Sequence, residues 1–435
     1  MEFFVIIMRL FLQLCIAVWN GMMRVVNAII GRENAKRIEK NNQISRGVIE
    51  DKSVPISSVF HDGCLRNSII SGSEEFVRNL MLINGIKNAH SHKCPIIVLH
   101  ESNTDLEALV QQHISDSIII NRKSSIFDPF FNRTENEIIK MVLSLGKKEY
   151  GLQDQTRYAI KGMMEFLMIK GKKPSLSALS SCPYDELYDK LDDMVQKRKI
   201  SSAQAQRVKS LLSSGQGEHV KLESFLVDFK DECERLLISG STTIYDITRA
   251  VEEKKVLLFD IGSSSNKLLL GYIASQIEMC IRNGHTLSIV IDNISLSKDS
   301  SDLIKLLSTN SSRCNVTITT NDLYAMVNSD EKLMYTFLGN SLENIIMQHG
   351  SAVSAEEWSK AIGYYDKTET TTTVSQGKTK GGFSLFPSYN ENKSLAYSIK
   401  REAIVKSEEI IRMSNNEMYI YDRARNELRH CYVTN

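Results

Sequence analysis

Hydrophobic and polar positions follow two different periods along this chain. In its first and last thirds, short runs of consecutive apolar residues alternate with stretches in which apolar residues recur every three or four positions. Short apolar strands separated by helices are typical of a parallel sheet that is covered on both faces. The strands are predicted at residues 68–71, 95–101, 115–122, 254–261, 285–293, 313–322 and 342–348.

The middle of the chain carries a helical pattern with almost no strand signal. Its first helix begins with a capping box, in which Thr134 precedes Glu137 by three residues. We therefore predict an all-α domain inserted into an α/β domain. The inserted domain is expected to pack separately, with few contacts to the sheet beyond hinges at Asp128 and Ser239.

The N-terminus is a distinct apolar stretch. Residues 3–30 are largely apolar but include Arg9 and Arg24, and the uninterrupted apolar part, residues 10–18, is too short to span a bilayer. Three interpretations stay open: an imperfect membrane anchor, an amphipathic helix at the membrane interface, and a helix packed on the protein. The basic residues that follow, at positions 32, 36, 37 and 40, would hold the rest of the chain in the cytoplasm. Attachment to the cytoplasmic face of the membrane is favoured over a purely cytoplasmic location.

Two polar stretches are predicted to lack regular structure. Residues 33–52 resemble a linker, and residues 368–393, rich in Thr, Ser, Gly and Lys, resemble a mobile loop. The basic residues from Lys367 to Lys380 could touch DNA, but Glu369 dilutes their charge and a solvated loop is the favoured interpretation. The predicted divisions of the chain are 1–32 (hydrophobic helix), 33–53 (linker), 54–132 and 239–435 (α/β domain) and 133–238 (all-α domain).

Composition narrows the class of protein without identifying it. The chain has 435 residues, 42% of them hydrophobic, and a formal net charge of +1, so two or three domains fit and a global nucleic-acid signature is absent. Eight scattered cysteines without a Cys-x-x-Cys pair indicate reduced, mostly buried thiols. His90, His92 and Cys94 could bind a metal, but no second cluster completes a site, and a loop before a strand is the favoured interpretation.

The stretch NSIISGSEEFVRNLML, residues 67–82, has the strand, glycine and helix of a P-loop, whose pattern is G-x-x-x-x-G-K-[ST]. Val77 puts a β-branched side chain at the position where a glycine lets the backbone amides approach the phosphates. Arg78 replaces the lysine with a bulkier fork, and Asn79 replaces the hydroxyl that binds Mg²⁺. A degenerate phosphate loop would consist of Gly72, Ser73, Arg78 and Asn79.

Three interpretations of this stretch stay open: a plain strand-to-helix turn, a degenerate pocket that still holds a nucleotide or another anion, and an ATPase with an unorthodox pocket. Glu74 and Glu75 would each oppose a phosphate charge by roughly 4 kcal/mol at an effective dielectric of about 20 and about 4 Å, before screening. Any ATP, ADP or Mg²⁺ is therefore expected to bind with low affinity.

A second signal is the apolar strand that ends in Asp292 and Asn293. A Walker B segment places an aspartate at such a strand end near Mg²⁺, usually followed by a glutamate that activates water. Asp292 fits the first role, whereas the neutral amide of Asn293 cannot accept a proton. A turn or helix-capping carboxylate is the alternative role for Asp292.

These two segments, with the helical insertion between them, resemble the type IV coupling proteins of the TraG/TraD type, within the FtsK/HerA class of P-loop motor proteins. The resemblance covers about residues 54–433. ITTNDLYAMV is similar to the family's sensor segment, with Asn321 where glutamine is usual. Arg313 resembles the arginine that can reach a neighbouring subunit's nucleotide, and a solvated surface arginine is the alternative. Residues 340–366 and 400–422 are similar to the family's lid helix and closing segment.

The resemblance implies a RecA-like P-loop NTPase fold, with a mostly parallel sheet, helices on both faces, an inserted all-α domain and an N-terminal hydrophobic helix. It also implies partners in a conjugation or type IV secretion apparatus and a hexamer-like ring. Because Val77, Arg78, Asn79 and Asn293 all depart from the family's pattern, we expect a catalytically silent scaffold or adaptor. An active ATP-driven DNA translocase and a purely structural assembly protein are the alternatives.

Overall fold

The computed structural model describes residues 2–55, 66–124, 126–131, 133–237, 244–297, 300–308, 312–379 and 388–434. The strands are β1 (Val48–Pro55), β2 (Ser68–Ser71), β3 (Ile96–His100), β4 (Ile118–Ile120), β5 (Val256–Asp260), β6 (Leu287–Asp292), β7 (Cys314–Thr320), β8 (Glu343–Ile346), β9 (Tyr364–Thr379), β10 (Ser388–Ala403), β11 (Glu417–Asp422) and β12 (Glu427–Thr434). The helices are α1 (Glu2–Arg46), α2 (Glu75–Ser91), α3 (Thr104–His113), α4 (Glu135–Glu149), α5 (Thr156–Ile169), α6 (Leu176–Ser180), α7 (Leu187–Gln196), α8 (Ser202–Gly215), α9 (His219–Cys233), α10 (Ile247–Glu252), α11 (Lys267–Arg282), α12 (Ser301–Ser308), α13 (Leu323–Met326), α14 (Glu331–Asn340), α15 (Ala352–Ile362) and α16 (Ser407–Arg412).

Ten strands form one sheet in the order β1-β12-β11-β8-β2-β7-β6-β3-β5-β4. β11 runs antiparallel to both of its neighbours, and the other pairings described in this sheet are parallel. Successive residues of β3 face opposite sides, so Ile97 and Leu99 pack in the core that contains α11, whereas Ile96 and Val98 pack with α2 and α3. The predicted mostly parallel sheet with helices on both faces is confirmed.

The N-terminal helix is longer than its apolar part. α1 continues through the polar residues to Arg46, and β1 then pairs in parallel with β12. The prediction of an unstructured linker at residues 33–53 is therefore wrong, because these residues are helical up to Arg46 and form a strand from Val48. The Arg46 guanidinium donates to the carbonyl oxygen of Ile404 at 2.5 Å and pairs with Glu409. The apolar half, in contrast, is exposed along its length, so the interpretation that it packs on the protein is not supported among the described residues.

The segment predicted as a mobile loop forms a two-stranded antiparallel ribbon, β9 with β10. Pairing runs from Tyr364 opposite Ala403 to Thr379 opposite Ser388. The loop prediction is wrong for these residues, since β-branched threonines favour extended backbone as well as surface exposure. Lys380, at the end of the predicted basic loop, lies outside the described residues.

The helical insertion packs directly against α11. The capping box of Thr134 and Glu137 at the start of α4 is present as predicted. The rings of Phe229 on α9 and Tyr272 on α11 lie 6.2 Å apart, and residues of both helices share one core. The expected separation from the α/β part is therefore not found along α11. Of the two predicted hinges, Ser239 lies outside the described residues, and the domain boundaries stay a prediction.

Candidate nucleotide site

The turn between β2 and α2 is closed by backbone hydrogen bonds. The Gly72 N–H donates to the carbonyl oxygen of Thr320 at 3.0 Å, and the Ser73 N–H donates to that of Gln348 at 2.8 Å. A Cβ atom on Gly72 would lie only 2.6 Å from the Cβ of Met347. The glycine is thus required by the close approach of the chain after β8, and the amides of Gly72 and Ser73 already have acceptors.

The side chain of Arg78 points back to the turn between β2 and α2. Its side chain is 2% exposed, and Nη1 donates to the carbonyl oxygen of Gly72, while Nε has no hydrogen-bond partner in the described part of the chain. Burial lowers the pKa of the guanidinium, and the carboxylates of Asp292, Glu75 and Glu74 oppose that shift. The cation at the lysine position is therefore held inside the fold.

Asn79 and Asp292 meet through a third side chain, Asn103. The amide nitrogen of Asn103 donates to Oδ2 of Asp292 at 2.7 Å and to Oδ1 of Asn79 at 3.2 Å. Its Oδ1 accepts the N–H of Leu106 at 2.9 Å, so the same residue caps α3. The Thr319 hydroxyl donates to Oδ1 of Asp292. We call Asn79, Asn103, Asp292 and Thr319 the Asn103 network.

The remaining predicted site residues lie at two opposite edges of the sheet, one formed by the carboxyl ends of the parallel strands and the other by their amino ends. Gly72 follows β2 and Asp292 ends β6, two parallel strands that both pair with β7, so both residues lie on the carboxyl edge, as predicted. Asn293 lies beside Asn321 there, with its Oδ1 accepting the Asn321 N–H at 3.3 Å. Arg313 precedes β7 at the opposite edge, and its Nη1 donates to the carbonyl oxygen of Ile281 at 3.5 Å. Since β7 spans seven residues, Arg313 lies about 20 Å from the carboxyl edge of its own subunit.

Two buried histidines at this edge of the sheet were not found from the sequence, and one of them contacts the Asn103 network. His100, at the end of β3, accepts the Asn103 N–H on Nδ1 at 3.1 Å. Nε2 of His349 lies 3.0 Å from the Ser71 hydroxyl, and burial lowers the pKa of His349 to about 4, so this ring is neutral at pH 7. A histidine at a strand end carries no periodic signal, so hydrophobic periodicity could not single out either ring.

The residues of this edge do not fit a magnesium ion in the described conformation. No group of three or more His, Cys, Asp or Glu residues suited to a metal occurs in the part of the chain that the structure describes. Both carboxylate oxygens of Asp292 accept hydrogen bonds from the protein. Mg²⁺ keeps an octahedral shell of oxygen ligands and several waters, which the amide of Asn103 and the cation of Arg78 do not provide.

Comparisons with known proteins identify the fold. No protein-family model matches the chain, and no curated protein matches it. Solved structures of the plasmid coupling protein TrwB do match, each over 88% of this chain and 89% of that chain. The complex with the non-hydrolysable ATP analogue ADPNP has a TM-score of 0.51 at 13% identity. The complex with the GTP analogue GDPNP has 0.50 at 15%, and the complex with ADP and Mg²⁺ has 0.50 at 13%. The chain therefore has the RecA-like fold of a type IV coupling protein.

Proposed function

We propose that this chain is a catalytically silent counterpart of the coupling proteins, acting as a scaffold or adaptor in a conjugation or type IV secretion-like apparatus that transfers DNA or protein. The similarity of this fold to that of TrwB supports the part of the proposal that places the chain in a conjugation or type IV secretion-like apparatus. The observation that carries the silent role is the hydrogen bond from Asn103 to Asp292. It occupies the carboxylate that a P-loop enzyme would turn towards Mg²⁺.

Three features of the site oppose hydrolysis. Phosphoryl transfer depends on positioning and on neutralising charge on the phosphates, because little covalent chemistry is left to the protein. Arg78 donates to a backbone carbonyl instead of reaching outwards, and the amides of Gly72 and Ser73 are occupied. Asn293 has no group that accepts a proton from water. Residual binding of ATP or ADP, with or without Mg²⁺, would need this turn to open and is expected to be weak.

Attachment to the membrane is part of the proposal. By length and composition, α1 could cross a membrane, and none of its apolar window is buried against the described protein. Basic residues follow that window, which favours the cytoplasmic face for the folded part. Other components of the apparatus and a hexamer-like ring of this chain are the partners we propose, and DNA contact belongs to the translocase alternative.

Nucleotide titration of the detergent-purified full chain tests the silent role. Binding of a fluorescent ATP analogue and release of phosphate are measured with and without Mg²⁺, for the unmodified chain, Arg78→Ala and the control Arg282→Ala, an exposed arginine on α11. We expect no Mg²⁺-dependent binding and no turnover in all three. Mg²⁺-dependent hydrolysis that only Arg78→Ala abolishes would instead establish an active ATPase.

A complementation experiment separates the adaptor from the translocase. In cells that carry this protein, deletion is expected to abolish transfer. Because an adaptor needs no metal ligand, a variant such as Asp292→Asn that remains folded is expected to restore transfer. Restoration by the unmodified chain alone would favour the translocase, and transfer that survives the deletion would contradict both.

A further inference from the structure

The long helix α1 and the edge of the sheet meet at one residue, Gly47. α1 ends at Arg46 and β1 begins at Val48, so a movement of β1 is passed directly to the last turn of α1. One turn earlier, Nδ2 of Asn42 donates to the carbonyl oxygen of Thr368 on β9 at 3.0 Å, which holds the helix at a second point. β1 is the outermost strand of the ten-stranded sheet, and its register with β12 shifts once along the pair. An edge strand with an irregular ladder opens easily, so its attachment depends in part on side-chain contacts.

His430 on β12 connects β1 with β11. Its Nδ1 lies 2.7 Å from Oε2 of Glu50 on β1, and its Nε2 lies 2.7 Å from Oε1 of Glu417 on β11. Glu50 is also its direct partner in the register of β1 with β12. The side chains of His430 and Glu417 are largely buried, at 13% and 19% exposure, whereas that of Glu50 is 64% exposed. The ring therefore bridges three neighbouring strands.

Hydrogen-bond chemistry fixes the protonation of the ring in this arrangement. An ionised carboxylate only accepts hydrogen bonds, so each ring nitrogen must carry a proton in order to donate to its partner. The imidazolium has both protons, whereas a neutral imidazole has one N–H and can donate to one carboxylate only. Histidine is the side chain whose charge ordinarily changes between about pH 5 and pH 8. The bridge across the three strands is therefore complete only when His430 is a cation.

Two tyrosines and one buried carboxylate surround the ring. The imidazole of His430 stacks on Tyr419 with 4.7 Å between the ring centroids, and its centroid lies 5.6 Å from that of Tyr432. Burial raises the pKa of Tyr419, so this phenol stays neutral between pH 5 and pH 8. Burial would also raise the pKa of Glu417, but hydrogen bonds from Ser414 and from His430 lower it overall, so Glu417 stays an anion.

The charged groups that approach this face from α16 and α1 compensate each other. Glu409 on α16 accepts a hydrogen bond from the Tyr419 hydroxyl at 3.2 Å and pairs with Arg46 on α1. On β1 and β12, Asp51 and Arg429 are the strand neighbours of the bridging residues, and the alternation of side chains puts both on the opposite face of the sheet. The imidazole is therefore the group whose protonation changes the contacts of this face near neutral pH.

We infer that His430 is a pH-sensitive latch, which holds β1 to the sheet as an imidazolium and loosens β1 when the ring loses a proton. Of the two carboxylates, Glu50 is the one that leaves, because it is mostly exposed and water can replace the ring as its donor. Glu417 keeps the remaining ring N–H and its hydrogen bonds from Ser414, at 2.9 and 3.1 Å. Loss of the Glu50 contact removes a side-chain tie between β1 and β12, and with it a constraint on the last turn of α1. The latch acts in the same way whether or not the chain hydrolyses ATP.

Hydrogen exchange of the β1 amides in the detergent-purified full chain tests the latch. Mass spectrometry follows peptides from β1 and β6 at about pH 5.5 and about pH 9, on either side of the histidine range, and each rate is corrected for the intrinsic rate at that pH. β6 lies in the middle of the sheet and reports global opening, including any that Glu232 causes. The unmodified chain is compared with Glu50→Gln, with His430→Phe and with the control Glu33→Gln, an exposed position on α1.

In the unmodified chain and in Glu33→Gln, we expect the protection of β1 relative to β6 to fall about 3- to 10-fold from the lower to the higher pH. This range is at the low end for a charge-assisted hydrogen bond, because Glu50 is mostly exposed. Glu50→Gln should keep its protection at both pH values, since an amide can accept from the cationic ring and donate to the neutral one. His430→Phe keeps a ring next to Tyr419 but has no N–H, so β1 should be weakly protected at both pH values.

Three results would overturn the latch. The first is equal relative protection of β1 at both pH values in the unmodified chain. The second is a fall in Glu50→Gln as large as that in the unmodified chain, which would assign the pH dependence to another group. The third is a pH-dependent fall that persists in His430→Phe. If His430→Phe does not fold, the comparison of Glu50→Gln with Glu33→Gln decides the matter by itself.

Discussion

The side-chain nitrogen of Asn103 lies 2.7 Å from Oδ2 of Asp292, at the carboxyl edge of two neighbouring parallel strands. One amide thereby joins the turn after β3, the end of β6 and the first part of α2. The donor to this carboxylate is a neutral amide that is part of the fold. The Asn103 side chain therefore acts as a structural joint between these three elements.

Removal of this joint should destabilise the protein. Asn103→Ala leaves Asp292 without its closest donor and α3 without its cap. A buried polar group left unsatisfied costs about 1–3 kcal/mol and a lost N-cap costs about 1 kcal/mol. We expect the free energy of unfolding to fall by about 2–3 kcal/mol, measured by denaturant unfolding. Asn136→Ala on the exposed side of α4 is the control and should change it by less than about 0.5 kcal/mol.

A carboxylate in place of the amide should make the stability of the protein depend on Mg²⁺. Asn103→Asp puts two carboxylates next to each other, which repel in the absence of a cation. We expect a lower melting temperature in EDTA and a gain on addition of Mg²⁺, since one or two carboxylates with waters are the usual ligands of that ion. If the melting temperature of Asn103→Asp does not change on addition of Mg²⁺, a side chain at position 103 cannot coordinate the ion.

Restoring the phosphate loop should recover binding better than turnover. The triple variant Val77→Gly, Arg78→Lys and Asn79→Thr supplies the missing glycine, lysine and hydroxyl. Asn293 still lacks a proton-accepting group, whose loss typically costs about 10²- to 10⁴-fold in rate. Equilibrium binding of an ATP analogue and steady-state phosphate release measure the two effects. Full turnover without a change at Asn293 would contradict the role assigned to that position.

Gly72 should be intolerant of substitution for a packing reason. In Gly72→Ala the new methyl group would lie 2.6 Å from the Cβ of Met347, and the backbone on both sides must shift. We expect a loss of about 1–3 kcal/mol, as for other overpacked sites. In the matched control Gly339→Ala, near the end of α14, the methyl group meets nothing within 4 Å, so stability should be unchanged or slightly increased. Equal thermal shifts for both variants would refute the close approach.

The junction between the helical insertion and α11 should respond to pH through Glu232. Its Oε2 accepts the N–H of Leu269 at 2.8 Å, and burial raises the pKa of Glu232 to about 7. A raised pKa in a carboxyl group means that the folded state binds the proton more tightly, so stability rises as pH falls through 7 towards the unfolded value.

Glu232→Gln removes this dependence and keeps an acceptor for Leu269. Relative to the unmodified chain, it should be more stable by about 1–2 kcal/mol at pH 8, a value reduced for the partial solvent exposure of the side chain. The difference should shrink towards zero near pH 5. Thermal melts of both proteins at each pH measure it, and a difference that does not vary with pH would exclude Glu232 as its source.

The sequence by itself determined the order and kind of the elements around the sheet. Buried parallel strands produce continuous apolar runs, and helices produce a period of 3.6, because burial on two faces or on one stripe dictates which positions must be apolar. That order alone predicted that Gly72 and Asp292 lie on the same edge of the sheet, at the carboxyl ends of its parallel strands. The capping box of Thr134 was predictable for a similar reason, since its partners are three residues apart.

Only the tertiary structure decided which polar side chains meet. Asn103 and Asp292 are 189 residues apart, and Asn42 and Thr368 are 326 apart, so no local pattern records either contact. The same polarity that predicts a linker at residues 33–53 is also compatible with a helix whose polar side chains bond a distant strand. Hydrophobic periodicity reports how much of an element is buried, whereas the partner of a polar group is fixed only when the whole chain has packed.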